Sequence, residues 1–221
     1  MNLQQRWQRW LKPRFAIIYP FGFFVLFSAY LDEKSMRAGI GFIIAGLLLR
    51  LWSNGYAIKN DKLTTSGPYA FVRHPLYVGT FLIAIGFVIA LKMNWVGLFF
   101  LAALSFLYYQ TITGEQNMLL TKFGKAYQDY YAKVPAIIPT LKPYHESEQW
   151  SFSLERLIKS KEYKSLFWIT ILLIFFHLKT RLLLEHKAMT PAMWGLVYLA
   201  ILLTVVDILA EINKKQGRMI Q

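Results

Sequence analysis

The chain has 221 residues, of which 56% are hydrophobic, and its formal net charge is +13 at pH 7. This apolar content is above that of an ordinary soluble domain, so we predict a membrane protein whose basic loops lie against anionic lipid rather than nucleic acid. The absence of cysteine excludes a disulfide scaffold, a Cys-ligated zinc site and a cysteine nucleophile, and we expect no metal site.

The first residues combine apolar side chains with arginines. Leu3, Trp7, Trp10 and Leu11 recur at helical spacing, which is typical of a short helix lying in the membrane interface. A partly ordered tail is the alternative. The segment lacks the small-residue cleavage site of a signal peptide.

Four apolar runs follow, each long enough to form a membrane-spanning helix. They cover residues 15–31, 36–52, 76–91 and 95–112. The first two are joined by a very short polar loop, as are the last two, so each pair is predicted to form an antiparallel hairpin. Ser35 and Asn94 are predicted to be the N-caps of the second and fourth helices. Pro20 is expected to kink the first helix.

A second pair of apolar runs lies near the C-terminus. The run 165–178 is short for a span, whereas 191–209 is long enough, and Thr190 with Pro191 provides an N-cap and a proline at the first helical position. We therefore predict an all-α, polytopic membrane bundle of about six transmembrane helices. Four spans plus a re-entrant hairpin is the alternative.

The polar interval before this pair is predicted to be an interfacial connector, residues 144–164. It would contain a helix with Trp150, Leu154, Leu157 and Ile158 on one face, lying on the membrane surface or over the end of the bundle. The connector divides the chain into a membrane core, residues 1–143, and a C-terminal helical hairpin, residues 165–221.

The basic residues predict the orientation of the bundle. Most of the 25 lysines and arginines lie in the segments that share one side with the N-terminus. The positive-inside rule places that side in the cytoplasm. Residues 53–75 and 113–164 would then face the cytoplasm. Asp207 and Glu211, near the inner end of the last helix, are predicted to be solvated.

The stretch "SGPYAFVRHPLYVGT" (66–80) places an arginine and a histidine directly before an apolar helix. The first N–H groups of a helix lack intrahelical partners and carry the positive end of its dipole. A helix that starts at Pro75 beside Arg73 and His74 therefore favours an anion such as a carboxylate. Gly79 leaves room for a bulky group against the backbone. The alternative is that Arg73 reaches lipid phosphate and His74 only caps the helix.

The stretch "EQNMLLTKFGKAYQDYYAKVPAIIP" (115–139) continues out of the fourth span as an amphipathic helix that is predicted to break near Gly124. Its first residue, Glu115, is a candidate partner for Arg73 or for the ammonium of a ligand. An ordinary water-facing residue is the alternative.

Together these two stretches resemble the isoprenylcysteine carboxyl methyltransferase family, which is related to the phospholipid N-methyltransferases. The resemblance covers residues 36 to 139. It implies an integral membrane enzyme that uses S-adenosylmethionine and opens its cofactor pocket to the cytoplasm.

The resemblance also implies roles for individual residues. In such enzymes the RHPxYxG segment lines the cofactor site, Glu115 meets the methionine amino group, and Arg73 with His74 faces the carboxylate. Apolar or stacking contacts to the adenosine portion would come from Leu63, Tyr69, Val72 and Leu119. The residues of the RHPxYxG segment that line the site are His74, Pro75, Leu76, Tyr77 and Gly79. The family often has two adjacent glutamates where this chain has Glu115 and Gln116.

The acceptor is expected to be a lipophilic molecule or membrane lipid that enters from the bilayer. A carboxylate acceptor would need only a cation to orient it, which Arg50 or Arg73 could supply, whereas an amine would need to lose a proton and no base stands out. The catalytic candidates are thus Arg50, Arg73 and Glu115. A membrane reductase of the sterol or steroid type is one alternative, with Leu76 where its asparagine would be expected. A non-catalytic membrane scaffold is the other.

Overall fold

The computed structural model describes residues 13–58, 62–146 and 149–219, and these residues form helices joined by turns and loops, with no strand among them. In chain order the helices are α1 (Pro13–Ser28), α2 (Glu33–Tyr56), α3 (Pro75–Ala90), α4 (Asn94–Phe123), α5 (Lys125–Lys133), α6 (Leu154–Ser160), α7 (Tyr163–Lys179) and α8 (Pro191–Met219), with a 3₁₀ turn at Gly67–Ala70 and a π turn at Thr180–Leu184. The all-α prediction is confirmed. The helix predicted around Leu3 to Leu11 lies outside the described residues.

Several helices have the length and apolar character of membrane spans. Among the described residues, those long and apolar enough to cross a bilayer are Glu33–Tyr56, Asn94–Phe123, Tyr163–Leu184 and Pro191–Ile212. Helix α3 is a shorter apolar helix. The run at 165–178 is not short in the structure, because α7 continues through the π turn into a segment of 22 residues. The chain is thus a helical membrane protein, and six spans stays a prediction.

The helix starts differ in part from the predicted ones. Helix α2 begins before Ser35, and its N-cap is Asp32, whose carboxylate accepts a hydrogen bond of 2.9 Å from the Ser35 backbone N–H. The N-cap prediction for Ser35 is therefore wrong. Asn94 is the first residue of α4 rather than its N-cap. The prediction for Thr190 is confirmed, since its hydroxyl accepts a 3.3 Å bond from the Met193 N–H.

Helices α2 and α3 are antiparallel, and their backbones approach closely through glycines. A Cβ atom added to Gly39 would lie 2.3 Å from the carbonyl oxygen of Gly86, and one added to Gly46 would lie 2.4 Å from that of Gly79. Small residues permit such approach in membranes, where van der Waals packing drives helix association. The contact brings Arg50, one turn after Gly46, against the first turns of α3.

We expect Gly39→Ala to lower the free energy of unfolding by about 1–3 kcal/mol, because the new methyl group forces the two backbones apart. Gly41→Ala is the matched control on the same helix, since a Cβ there would meet nothing within 4 Å. The midpoint of thermal unfolding in detergent measures both variants. Equal midpoints for the two would contradict the close contact.

The connector packs over the end of α2, which is one of the two predicted placements. Its helix is shorter than predicted, Leu154–Ser160, so Trp150 does not share a helical face with Leu154. Instead the Trp150 indole N–H donates a 3.2 Å bond to the carbonyl of Tyr56. Arg156 Nε likewise donates a 2.9 Å bond to the Gly55 carbonyl.

Ion pairs attach the C-terminal helices to the rest of the chain at both ends. Lys164 Nζ lies 2.6 Å from Asp207 and Lys161 Nζ lies 2.6 Å from Glu211, so the prediction of a merely solvated face for these two carboxylates is wrong. At the opposite end, Lys179 Nζ donates bonds of 2.7–2.8 Å to the carbonyls that end α1, those of Leu26, Phe27 and Ala29. A lysine at a helix C-terminus satisfies carbonyls that have no intrahelical partner.

Candidate functional site

Backbone hydrogen bonds join the two sequence motifs at one end of the bundle. The N–H of Arg73 donates to the carbonyl of Pro135 at 2.9 Å, and that of His74 donates to Ala136 at 3.1 Å. Two further bonds run the other way, from Thr140 N–H to Phe71 O and from Tyr144 N–H to Ala70 O. The segment after α5 is thus fixed against the lead-in to α3. This explains why both stretches form one site although they are far apart in sequence.

A cavity of about 680 Å³ lies at this junction, within the usual range for small-molecule sites. Most of the residues predicted for the site line it, namely Arg50, Leu63, Tyr69, Arg73, His74, Pro75, Leu76, Tyr77, Glu115 and Leu119. We call it the polar cavity.

Two of the predicted residues lie elsewhere. Gly79 packs on α2, where an added Cβ would lie 2.6 Å from Arg50 Cγ and 2.8 Å from the Gly46 carbonyl oxygen. Its lack of a side chain therefore serves helix packing. Val72 is buried and is not among the cavity's lining residues.

Glu115 is the carboxylate of the polar cavity. The Tyr77 hydroxyl donates a 2.5 Å hydrogen bond to its Oε1, and His74 Nδ1 lies 3.6 Å from its Oε2. Its side chain remains 39% exposed, so the carboxylate can accept further bonds from a ligand.

Arg73 does not pair with Glu115 but packs on the aromatic residues of α5. Its guanidinium lies 3.8 Å from the ring centroid of Tyr131, and Nη1 donates to the Tyr127 hydroxyl at 3.5 Å. Its Nε is buried and has no hydrogen-bond partner among the described residues. Stacking fixes the plane of the guanidinium while leaving part of its donor capacity for a ligand.

His74 is a buried, neutral histidine. Its side chain is 6% exposed, and Nε2 has no hydrogen-bond partner within the described part of the chain. Burial and the nearby Arg73 charge lower the pKa of His74 from 6.5 to about 4. The ring is therefore uncharged at pH 7. The predicted pair of cations facing a carboxylate reduces to one, Arg73.

The lowered pKa of His74 predicts a loss of stability in acid. The unfolded chain takes up a proton below pH 6.5 while the folded chain resists it until about pH 4. Stability should therefore fall by up to about 3 kcal/mol as the pH drops through this window, and remain complete above it. His74→Gln should fall less steeply between pH 6.5 and 4. Thermal unfolding across that range tests this, and parallel curves for the two proteins would contradict it.

Tyrosines of α5 form the floor of the polar cavity. Tyr127 and Tyr130 are each 2% exposed, and with Val134 and Tyr144 they form a cluster against which Leu63, Leu119 and Phe123 pack. The Tyr130 hydroxyl donates a 2.6 Å bond to the carbonyl of Tyr69. Burial raises the pKa of both Tyr69 and Tyr130, so both remain neutral phenols.

The sequence analysis assigned no site role to these tyrosines, although they recur at helical spacing in the second stretch. It also missed several other lining residues of the polar cavity. Those are Ile58, Lys62, Thr64, Thr80, Tyr108, Met118, Lys122 and Phe123.

Arg50 is occupied by bonds within the protein. Its Nε and Nη2 bind the carboxylate of Glu162 at 2.6 and 3.1 Å, and Nη1 donates to the Leu76 carbonyl at 3.3 Å and to the Thr80 hydroxyl. This binding is bidentate, the strongest arrangement for an arginine and a carboxylate. The predicted use of Arg50 as a free cation for an acceptor does not fit these contacts.

Two further cavities adjoin the polar one. The first, about 670 Å³, is bounded by α1, α3, α4 and α7, and we call it the apolar cavity. It shares Thr80 and Tyr108 with the polar cavity. Its other lining residues are almost all hydrophobic, among them Phe21, Val25, Ala84, Phe87, Leu104 and Phe176.

The second, about 650 Å³, lies on the other side of the α3–α4 pair, and we call it the lateral cavity. It shares Arg73, Tyr77 and Tyr108 with the polar cavity. Ser105 and Gln116 also line it. Tyr108 thus stands where all three cavities meet.

The fold and the site define a helical membrane protein with a small-molecule cavity at one end of its bundle and an apolar cavity within it. Residues 36–126 match the family model described as phospholipid methyltransferase. No solved structure matches the chain.

Curated relatives point to the same class. The chain is 35% identical over 128 residues to a protein-S-isoprenylcysteine O-methyltransferase of Schizosaccharomyces pombe, covering 52% of each chain. It is 31% identical over 117 residues to the enzyme of that name from Rattus norvegicus, covering 48% of this chain and 41% of the relative. It is also 33% identical over 104 residues to the cobalt-zinc-cadmium resistance protein CzcN of Cupriavidus metallidurans, covering 46% of this chain and 48% of the relative.

The chain spans about half the length of the curated relatives named here. Within that part, the resemblance to the isoprenylcysteine carboxyl methyltransferase family is confirmed. The comparisons give no support to the reductase or scaffold alternatives.

Proposed function

We propose that this chain is an integral membrane methyltransferase that takes a methyl group from S-adenosylmethionine and transfers it to the polar head of a lipophilic acceptor. One observation carries the proposal: a cavity with a carboxylate suited to the cofactor opens, at Thr80 and Tyr108, into a cavity that is almost wholly apolar. The family match supports the methyl-transfer chemistry.

The residues of the polar cavity fit S-adenosylmethionine, which has an ammonium, a carboxylate and an aromatic base. Glu115, held by Tyr77, would accept from the ammonium. Arg73 would face the carboxylate, and the unpartnered Nε2 of buried His74 would gain a partner. Leu63 and Leu119, which pack on the tyrosine floor, would contact the adenosine portion.

The chain's own contribution to the reaction is position and exclusion of water. When bound, S-adenosylmethionine supplies an electrophilic methyl group for in-line displacement. Glu115 and Arg73 would hold the two charged ends, and the buried tyrosines would keep water from that side of the cavity. Tyr108 and Thr80 stand where the head of the acceptor would meet the cofactor. For a carboxylate acceptor, Arg73 is the cation left to orient it, since Arg50 is paired.

The apolar cavity supports an acceptor with a single hydrocarbon tail. From Thr80 to Leu91 it follows about 16 Å of α3 and its C-cap, roughly half of the ~30 Å hydrocarbon thickness. That depth matches the tails of one leaflet. The positive-inside pattern supports a polar cavity that opens to the cytoplasm, so the acceptor would belong to the inner leaflet.

Calorimetry of the purified protein in lipid nanodiscs tests the cofactor. We expect saturable binding of S-adenosylmethionine and none of NADPH, and preference for NADPH would overturn the proposal. Incubation with methyl-labelled S-adenosylmethionine and total host lipid then tests the transfer. Label is expected in an extractable lipid or lipidated product, and no label in any lipophilic species would contradict the acceptor class.

A further inference from the structure

One carboxylate connects the C-terminal part of the chain to the polar cavity. Glu162 lies between α6 and α7, outside the segment 36–126 that matches the family. It binds Arg50 through both of its oxygens, and Asn54 Nδ2 donates a third bond at 3.3 Å. Asn54 also donates to the Arg50 backbone carbonyl at 3.0 Å, so three side chains form one compact group.

The other side of the Arg50 guanidinium reaches the wall of the polar cavity. Nη1 donates to the Leu76 carbonyl and to the Thr80 hydroxyl, and that hydroxyl donates a 2.9 Å bond back to Leu76 O. These contacts fix the first turns of α3 where the polar and apolar cavities meet. A continuous path of bonds therefore runs from Glu162 through Arg50 to Thr80.

The electrostatics make Glu162 necessary for this path. The side chains of Arg50 and Glu162 are 22% and 10% exposed. An arginine so enclosed is costly without a partner, and it would be drawn toward water or toward an anionic ligand. Two parallel bonds to Glu162 fix both its plane and its charge.

We infer that Glu162 is a positioning residue of the cofactor site: it acts through Arg50 to fix Thr80 and the Leu76 carbonyl at the junction of the two cavities. The inference rests on the proposed function, since the polar cavity is taken as the S-adenosylmethionine site. It assigns a role to the chain beyond the family segment, which completes the site rather than only adding helices.

The experiment is a double-mutant cycle between two residues that do not touch. Glu162→Gln keeps the volume and removes the charge, Thr80→Val removes the hydroxyl, and the double variant combines them. Calorimetry gives the dissociation constant for S-adenosylmethionine, and thermal unfolding reports folding separately. Glu155→Gln is the matched control, an α6 glutamate whose side chain is 75% exposed and paired only with Lys159 among the described ion pairs.

We expect Glu162→Gln to weaken S-adenosylmethionine binding about tenfold and Glu155→Gln to leave it unchanged. The double variant should lose little more than the weaker single variant, because both changes break the same path. Additive losses, or a Glu162→Gln protein with a lower melting point but unchanged affinity, would overturn the inference.

Two outcomes are separable from that result. If Glu162→Gln does not fold, Glu162→Asp takes its place in the cycle, since it keeps the charge and only shortens the reach, and the same criterion of non-additivity applies. If the wild-type protein itself does not bind S-adenosylmethionine, the proposed function fails, and the inference fails with it. Binding by the wild-type protein with no coupling between positions 162 and 80 refutes the inference alone.

Discussion

Glu115→Gln should lower the affinity for S-adenosylmethionine about a hundredfold while the protein stays folded. Glu115 is the carboxylate that lines the polar cavity, and a cationic ammonium bound to it would lose a charge-assisted bond worth about 3 kcal/mol. Glutamine keeps the volume and can still accept from Tyr77, so the cavity should retain its shape. Calorimetry in nanodiscs measures the affinity, and thermal unfolding verifies folding.

Glu146→Gln is the control for this prediction. Glu146 lies in the segment after α5, pairs with Lys133, and its side chain is 58% exposed. Its loss should not change cofactor affinity. If Glu115→Gln bound S-adenosylmethionine as tightly as the wild-type protein, the ammonium site would have to lie elsewhere in the cavity.

The location of the site could be predicted from the sequence because the governing signals are local. Apolar runs define helices, and short loops bring neighbouring helices together. The clustering of His74, Tyr77 and Glu115 follows from the start of one helix and the end of another at the same level of the bundle. The break near Gly124 is also confirmed, where the backbone φ of +53° favours glycine.

Properties that depend on packing could not be predicted from the sequence. The protonation state of His74 is set by burial, which the order of residues does not reveal. Gly79 was assigned to the cofactor because it sits within a motif, yet it packs against Gly46 of another helix. The same spacing of residues fits either role, and only the position of α2 decides between them.

Long-range partners were the largest omission. Arg50 and Glu162 are 112 positions apart, and a charged residue in a polar connector gives no sign of its partner. Predicting Arg50 as a free cation was reasonable for residues 36–139 taken alone. The pairing with Glu162 leaves Arg73 as the available arginine at the cavity, and this narrows the ways in which an anionic acceptor could be held.

The apolar cavity shows a similar dependence on parts beyond the family segment. Helices α1 and α7 supply Phe21, Val25 and Phe176 to its wall, and Lys179 fixes α7 to the end of α1. The cofactor side of the site therefore lies mainly within the matched segment, whereas the proposed tail site is shaped partly by helices outside it. Variation in those helices would change acceptor selection with little effect on cofactor binding.

Ala84→Phe tests that separation and should lower methyl transfer to the lipid acceptor at least about a hundredfold. Ala84 lines the apolar cavity and not the polar one. A phenyl ring there would exclude several methylene groups of a bound tail, each worth about 0.8 kcal/mol on burial. S-adenosylmethionine affinity should not change. The two measurements are label transfer into total host lipid and calorimetry with the cofactor.

Ser105→Phe is the matched control, because it places the same ring in the lateral cavity on the other side of the α3–α4 pair. The apolar cavity has almost no polar lining apart from its junction with the polar cavity, whereas the lateral cavity includes Arg73, Gln116 and several hydroxyl groups. A hydrocarbon tail is therefore favoured in the former. If Ser105→Phe abolished transfer while Ala84→Phe did not, the tail would enter through the lateral cavity. The acceptor head would then approach Tyr108 beside Arg73 rather than beside Thr80.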